Sequence, residues 1–229
     1  MNYTSQILQR YLLPSRHQRQ EKQYGFDDLV HELSIAFEMP AEFNPNAFMN
    51  FPIELITDYI RRTHRLYLFR KLPEMEQSIH LLLEDYTDDH PLLSILLDFY
   101  SDYKIQLSLH ICAEEQHLLP YIDFLLETRA KGLDMYRFFK QTKRYSIREF
   151  ELDHHDDSEK ELHEIRETIL AHEPPFTNAT PYRILVQQLH NFERDLTVHG
   201  LIEDHILIPK TKAIEDQLMQ QYQLLLEKN

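Results

Sequence analysis

The chain has 229 residues, a formal net charge of −14 and an apolar fraction of 42%, which suit one sizeable domain with a small appendage. No long basic run is present, so nucleic acid is not an expected partner, and an acidic surface disfavours anionic membranes. The single cysteine excludes an intrachain disulfide. No segment resembles a signal peptide or a membrane span, so we expect a cytoplasmic protein without a membrane partner.

The first part of the chain, residues 1–46, is predicted to be a small helical appendage. Its predicted elements, in chain order, are a helix over 1–13, a polar linker over 15–23 and a helix over 26–39. Pro40 and the Asn44-Pro45-Asn46 stretch then interrupt the helical pattern.

Residues 47–229 are predicted to form the main domain, built from four long helices. In order, they are a helix from Pro52 to about Arg70 with a continuation toward Leu83, a helix from Pro91 to about Pro120 with a continuation to about Ala130, a helix from Ser146 to about Ala171, and a helix from Tyr182 to about Ile208. A last helix follows over 211–226, and no segment has the alternation typical of strands. The predicted fold class is all-α, an antiparallel up-down four-helix bundle with a small helical N-terminal extension and a C-terminal helix.

Two segments that start 89 residues apart share the pattern H-x-x-x-E-(E/D)-x-x-L-x-P. The first contains His110 and Glu114, and the second contains His199 and Glu203. Residues four apart lie on the same helix face, so each pair can direct an imidazole and a carboxylate toward one point. Iron, manganese and zinc accept these ligand types.

The duplication extends to a lone histidine on the helix before each motif. His64 stands 46 residues before His110, and His155 stands 44 residues before His199. Four imidazoles and two carboxylates suit two metal ions, since each carboxylate has two oxygens and can bridge them. An oxo or hydroxo bridge would supply the remaining negative charge.

The spacing H-x-x-x-E is weak by itself, because it also occurs at His80/Glu84, His155/Glu159 and His163/Glu167. Solvated contacts between residues one turn apart explain such pairs equally well. The pairs at 110 and 199 differ because they share flanking residues and lie among apolar neighbours, where an unpaired polar group is costly.

The combined pattern resembles the hemerythrin-like (HHE cation-binding) family, and within it the di-iron group that repairs iron–sulfur centres. The resemblance covers about residues 50–212. It implies a bridged di-iron centre, although the same ligands also accept manganese or zinc. The implied ligands are His64, His110, Glu114, His155, His199 and Glu203.

Two ligand positions have a competitor next to them. Asp204 competes with Glu203, which we prefer because a spacing of four stays nearer the same face and because Glu114 matches it. His154 competes with His155, which the family pattern favours.

Glu159 stands where oxygen-carrying hemerythrins have a second histidine, so stable oxygen carriage is not expected. The appendage also lacks the cysteine pair that repair proteins often carry there.

Two functions of a di-iron site remain open at this stage. One is repair of iron–sulfur centres in oxidative or nitrosative stress, with iron–sulfur proteins as partners. The other is a sensor, carrier or store for oxygen, nitric oxide or iron that performs no catalytic turnover. The less favoured alternatives are a ferritin-like oxidase, suggested by Glu114-x-x-His117 and Glu151-x-x-His154, and a metal-free helical interaction module.

Overall fold

The computed structural model describes residues 3–12, 25–84, 91–153, 158–171 and 180–228. Every regular element within these ranges is a helix, so the prediction of an all-helical chain is confirmed for them. None of the helices in these ranges is long and apolar enough to cross a membrane.

The described residues of the N-terminal part, 3–12 and 25–48, form three helices and one short turn of 3₁₀-helix. They are α1 (Tyr3–Leu12), α2 (Phe26–Glu38), the 3₁₀ turn Pro40–Glu42 and α3 (Pro45–Phe48). Gly25, with φ of 91°, precedes α2 in the left-handed region that glycine tolerates, and the Asn44 side chain caps α3. The predicted linker at 15–23 lies outside the described residues. The division of the chain near residue 46 stays a prediction.

The first two long helical segments each consist of two α-helices joined by one π-helical turn. The first is α4 (Ile53–Leu66), the π turn Tyr67–Lys71 and α5 (Leu72–Glu84). The second is α6 (Pro91–Ala113), the π turn Glu114–Leu118 and α7 (Leu119–Lys131). The predicted continuations past Pro73 and Pro120 are therefore confirmed.

The second half of the chain departs from prediction at two places. The connector after Gly132 contains a helix, α8 (Met135–Thr142), which Asp134 caps by accepting a hydrogen bond from the Arg137 amide. It is followed by α9 (Ile147–Asp153) and α10 (Ser158–Ala171). The predicted break near Pro209 is wrong, because α11 (Thr180–Ile202) continues through the π turn Glu203–Leu207 into α12 (Ile208–Glu227). Pro209 is tolerated there because the π turn before it widens the helix and makes room for the proline ring.

The helices pack around two hydrophobic clusters that meet at the π turns. Helix α5 contacts α6 and α11, and α10 contacts the same two helices; their apolar side chains form one cluster. Helices α1, α2, α4, α7 and α12 contribute to the other cluster. Ile60 belongs to the second of these clusters and Tyr67 to the first, so the segment between them, which includes His64, lies at the junction.

Candidate metal centre

His64 lies near the end of α4, a helix buried around most of its circumference. Its side chain is 1% exposed. The imidazole Nε2 is 3.0 Å from Glu114 Oε2 and 4.0 Å from Glu203 Oε1. One histidine therefore contacts a carboxylate from each of the two repeated motifs.

The first motif brings His110 and Glu114 together across one helical turn, as the spacing predicts. His110 Nε2 lies 3.1 Å from Glu114 Oε1. Since the other oxygen of Glu114 faces His64, this carboxylate lies between two imidazoles. Glu114 is 1% exposed, whereas the His110 side chain is 20% exposed, which places His110 toward the rim of the site.

The second motif repeats the arrangement with looser contacts. His199 Nε2 lies 3.4 Å from Glu203 Oε2, and both side chains are buried. The rings of His64 and His199 meet edge to face with centroids 5.0 Å apart. Asp204, the competing carboxylate, is exposed, so the structure directs Glu203 rather than Asp204 into the cluster.

The four buried residues form one group that could hold a metal ion. His64, Glu114, His199 and Glu203 each offer a ligand atom, and these atoms lie within 4.8 Å of one another. His110 adjoins the group through Glu114. His154 and His155 lie outside the described residues. The assignment of all six residues as ligands stays a prediction.

A π turn begins at each of the two glutamates, and a proline explains its position. Pro120 and Pro209 each stand six residues after the glutamate. Proline has no N–H and its ring clashes with the carbonyl four residues earlier, so a wider turn relieves the clash. The residue before each proline donates its amide to the glutamate carbonyl, five residues back. The same turn starts at Tyr67, six residues before Pro73.

The two buried imidazoles of the group have pKa values shifted in opposite directions. Burial lowers the pKa of His64, but close contacts with Glu114 and Glu115 outweigh burial and raise it to about 9. Burial and then the positive charge of His64 lower the pKa of His199 well below 6.5. Burial raises the pKa of Glu114, but His110 and His64 outweigh it, and the pKa falls well below 4.5. The cluster therefore attracts positive charge at His64 and keeps His199 neutral.

Partners outside the cluster orient its residues, and sequence reasoning missed them. His64 Nδ1 lies 2.8 Å from Oε1 of Glu115, a half-buried residue whose carboxylate supports the far side of the ring. Tyr67 donates a hydrogen bond of 2.7 Å to Asp195, and its ring meets the His199 ring edge to face at 5.5 Å. The sequence contained one signal for Glu115, because an acidic residue directly follows the glutamate in both motifs.

Four other histidines, which have a similar spacing to an acidic residue or lie within the two motifs, are at the surface and outside the buried group. His80, His117, His163 and His205 are exposed, and His163 bonds Glu193 on α11 instead of its partner one turn away. The ferritin-like arrangement needs the His117 imidazole beside Glu114, but His117 stacks near Tyr145, with ring centroids 6.2 Å apart. These contacts remove the ferritin-like alternative at the second long helical segment.

The donor set fits a transition metal. Three imidazoles and two buried carboxylates provide nitrogen and oxygen donors of the kind that iron, manganese and zinc accept. Two carboxylates in an enclosed site need positive charge nearby, and the raised pKa of His64 reflects the same requirement. A metal ion that is held by few protein ligands keeps coordination positions open to small molecules.

Comparison with known proteins gives one distant similarity, and no protein-family model matches the chain. The chain is 22% identical over 155 residues to the iron-sulfur cluster repair protein ScdA of Staphylococcus haemolyticus, and the alignment covers 68% of this chain. The aligned part spans 65% of that protein, just under two thirds of its length. Together with the buried histidine and glutamate group, this supports a metal-binding helical chain distantly related to an iron–sulfur cluster repair protein.

Proposed function

We propose that this chain is a hemerythrin-like, non-haem di-iron protein that acts in the repair of iron–sulfur centres during oxidative or nitrosative stress. The observation that carries the proposal is the buried group of His64, Glu114, His199 and Glu203. The similarity to ScdA supports the choice of repair among the functions of such a site.

The helix contacts support a four-helix bundle around this group. Helices α5 and α10 each pack against both α6 and α11, so every one of the four has two neighbours. Bundles of this kind commonly build metal sites from side chains on facing helices. The antiparallel up-down arrangement belongs to the proposal.

The proposed ligand sets follow the duplication. One ion would take His64 and His110, the other His155 and His199, and Glu114 and Glu203 would bridge them, since a carboxylate has two oxygens. Bound iron would supply electrons and open coordination positions for a small molecule such as oxygen or nitric oxide. Glu115 holds the far nitrogen of the His64 ring, which fixes the orientation in which the near nitrogen faces Glu114.

Iron transfer tests repair against the alternative of a sensor, carrier or store. The protein is loaded with iron, reduced, and mixed with an apo iron–sulfur protein in the presence of inorganic sulfide, so that iron is the one missing component of the cluster. We expect iron to pass to the acceptor and its cluster to be restored. A Glu114→Gln variant should fail, whereas His80→Gln, which alters an exposed histidine with the same spacing to Glu84, should transfer iron normally. If iron stays bound while oxygen or nitric oxide binds reversibly, the sensor or carrier function replaces repair.

A further inference from the structure

The N-terminal helix α1 places a charged side chain in the interior, close to the candidate metal centre. Arg10 is fully buried, with a relative exposure of 0%. Its guanidinium forms an ion pair with Asp195 on α11, and its Nε donates a hydrogen bond of 2.8 Å to Thr63 Oγ1. Thr63 directly precedes His64. Arg10 thus links α1 to both helices that carry the buried imidazoles.

Asp195 connects this arginine to His199. It accepts hydrogen bonds from Arg10 and from the Tyr67 hydroxyl. The Tyr67 ring is fixed between Phe192, at 4.9 Å, and His199, at 5.5 Å, with an edge-to-face geometry on each side. His199 Nδ1 is buried and has no hydrogen-bond partner among the described residues. Apart from the contact of its Nε2 with Glu203, the ring is therefore oriented by packing, chiefly against His64 and Tyr67.

We infer that Arg10 is a positioning residue for the metal centre, acting through Asp195 and Tyr67 on the orientation of the His199 imidazole. A buried aspartate without its arginine is an uncompensated charge, and it would draw water or reorient. The Tyr67 hydroxyl would move with it, and the ring that supports His199 would lose its fixed place. The helix that comes before residue 13 thus contributes to the site without supplying a ligand.

A second buried arginine provides a matched control. Arg62 is 4% exposed, forms an ion pair of 2.8 Å with Asp58 and lies over the ring of Tyr11 on α1. It therefore also supports the contact between α1 and α4. Asp58 and Tyr11 are absent from the metal group, so removing Arg62 weakens the same interface without disturbing His199.

The first experiment needs no metal and separates this inference from the proposed function. In histidine-labelled, metal-free protein, the NMR shifts of the His199 ring report the ring currents of Tyr67 and His64, which pack against it. Arg10→Met should shift the His199 signals, Tyr67→Phe should shift them in the same direction by less, and Arg62→Met should leave them in place. If Arg10→Met does not fold, the double variant Arg10→Met/Asp195→Asn removes the stranded carboxylate. Unchanged His199 signals in the folded variant overturn the inference.

The second experiment uses Co²⁺ as the probe and rests on the proposed metal centre. Arg10→Met should change the visible Co²⁺ spectrum and accelerate release to a chelator by about 10-fold, the lower end of losses seen when supporting partners are removed. Arg10→Lys should restore part of the difference. Equal release from Arg10→Met and Arg62→Met, at equal losses of thermal stability, overturns the positioning role. If the wild-type protein binds no Co²⁺ but the NMR shifts respond as expected, the metal proposal fails while the linkage from Arg10 to His199 stands.

Discussion

The two repeated motifs share a pattern but differ in how close their carboxylates lie to the histidine rings. Glu114 lies 3.0 and 3.1 Å from two imidazoles. Glu203 lies 3.4 Å from one imidazole and 4.0 Å from another. The histidines thus lie closer to the first carboxylate than to the second. A duplicated sequence has thus produced an asymmetric site, in which the histidine contacts are closer at Glu114 than at Glu203.

The largest effect should come from removing either buried carboxylate. Glu114→Gln and Glu203→Gln should each weaken iron or Co²⁺ binding by about 100-fold or more, beyond the roughly 10–100-fold typical of an outer partner. The Glu114 change should be the more severe, because that carboxylate contacts two imidazoles at short range. Calorimetric titration with Co²⁺ measures both losses. Affinities equal to that of His80→Gln would remove the glutamates from the site.

The pH dependence of stability tests the charge division between His64 and His199. The pKa of His64 rises from 6.5 to about 9 on folding, so its contribution is complete below pH 6.5 and is lost as pH rises through 9. That rise corresponds to roughly 3 kcal/mol. The pKa of His199 falls below 6.5, so protonation of the unfolded chain destabilises the fold as pH drops below 6.5. Together they predict greatest stability near pH 6.5 for metal-free protein.

Urea unfolding of metal-free protein between about pH 5 and pH 10 measures this profile, because this range spans the ordinary histidine pKa of about 6.5 and the raised pKa of His64, about 9. His64→Gln should flatten the decline on the alkaline side, and the exposed His80→Gln should leave it intact. An alkaline decline that persists unchanged in His64→Gln would contradict the assignment of the proton to His64.

The smallest effect concerns the residue after each glutamate, where the two motifs differ most clearly. Glu115 lies 2.8 Å from His64 Nδ1, whereas its counterpart Asp204 is exposed. Glu115→Gln should therefore weaken Co²⁺ binding by about 10-fold, and Asp204→Asn should have no effect. Parallel titrations compare the two variants directly, and equal losses would mean that the acidic pair acts only through net charge.

Local patterns predicted much of this site because they depend on residues one helical turn apart. The spacing placed His110 beside Glu114 and His199 beside Glu203, and it favoured Glu203 over the exposed Asp204. The nearly equal distances to a histidine on the preceding helix also indicated His64, which the structure brings to both carboxylates. The proline six residues after each glutamate carried information on the π turns that helix propensity alone does not contain.

Contacts between distant segments could not be predicted in this way. Arg10 and Asp195 are separated by 185 residues, and no periodicity links them. Helix α8 was missed because it is short, with 8 residues, and because Gly132 and the basic residues that follow suggested a connector. The break predicted near Pro209 was wrong because a π turn and packing of α12 against α7 keep the helix continuous.

Metal content per chain, measured with the visible spectrum of aerobically purified protein, tests the central claim most directly. We expect about two iron ions per chain, as two bridging carboxylates imply, with absorption typical of a bridged di-iron centre. Loss of that absorption in Glu114→Gln but not in His80→Gln would tie it to the buried group. Fewer than about one metal ion per chain after reconstitution, for a site whose donors suit transition metals, would contradict the account.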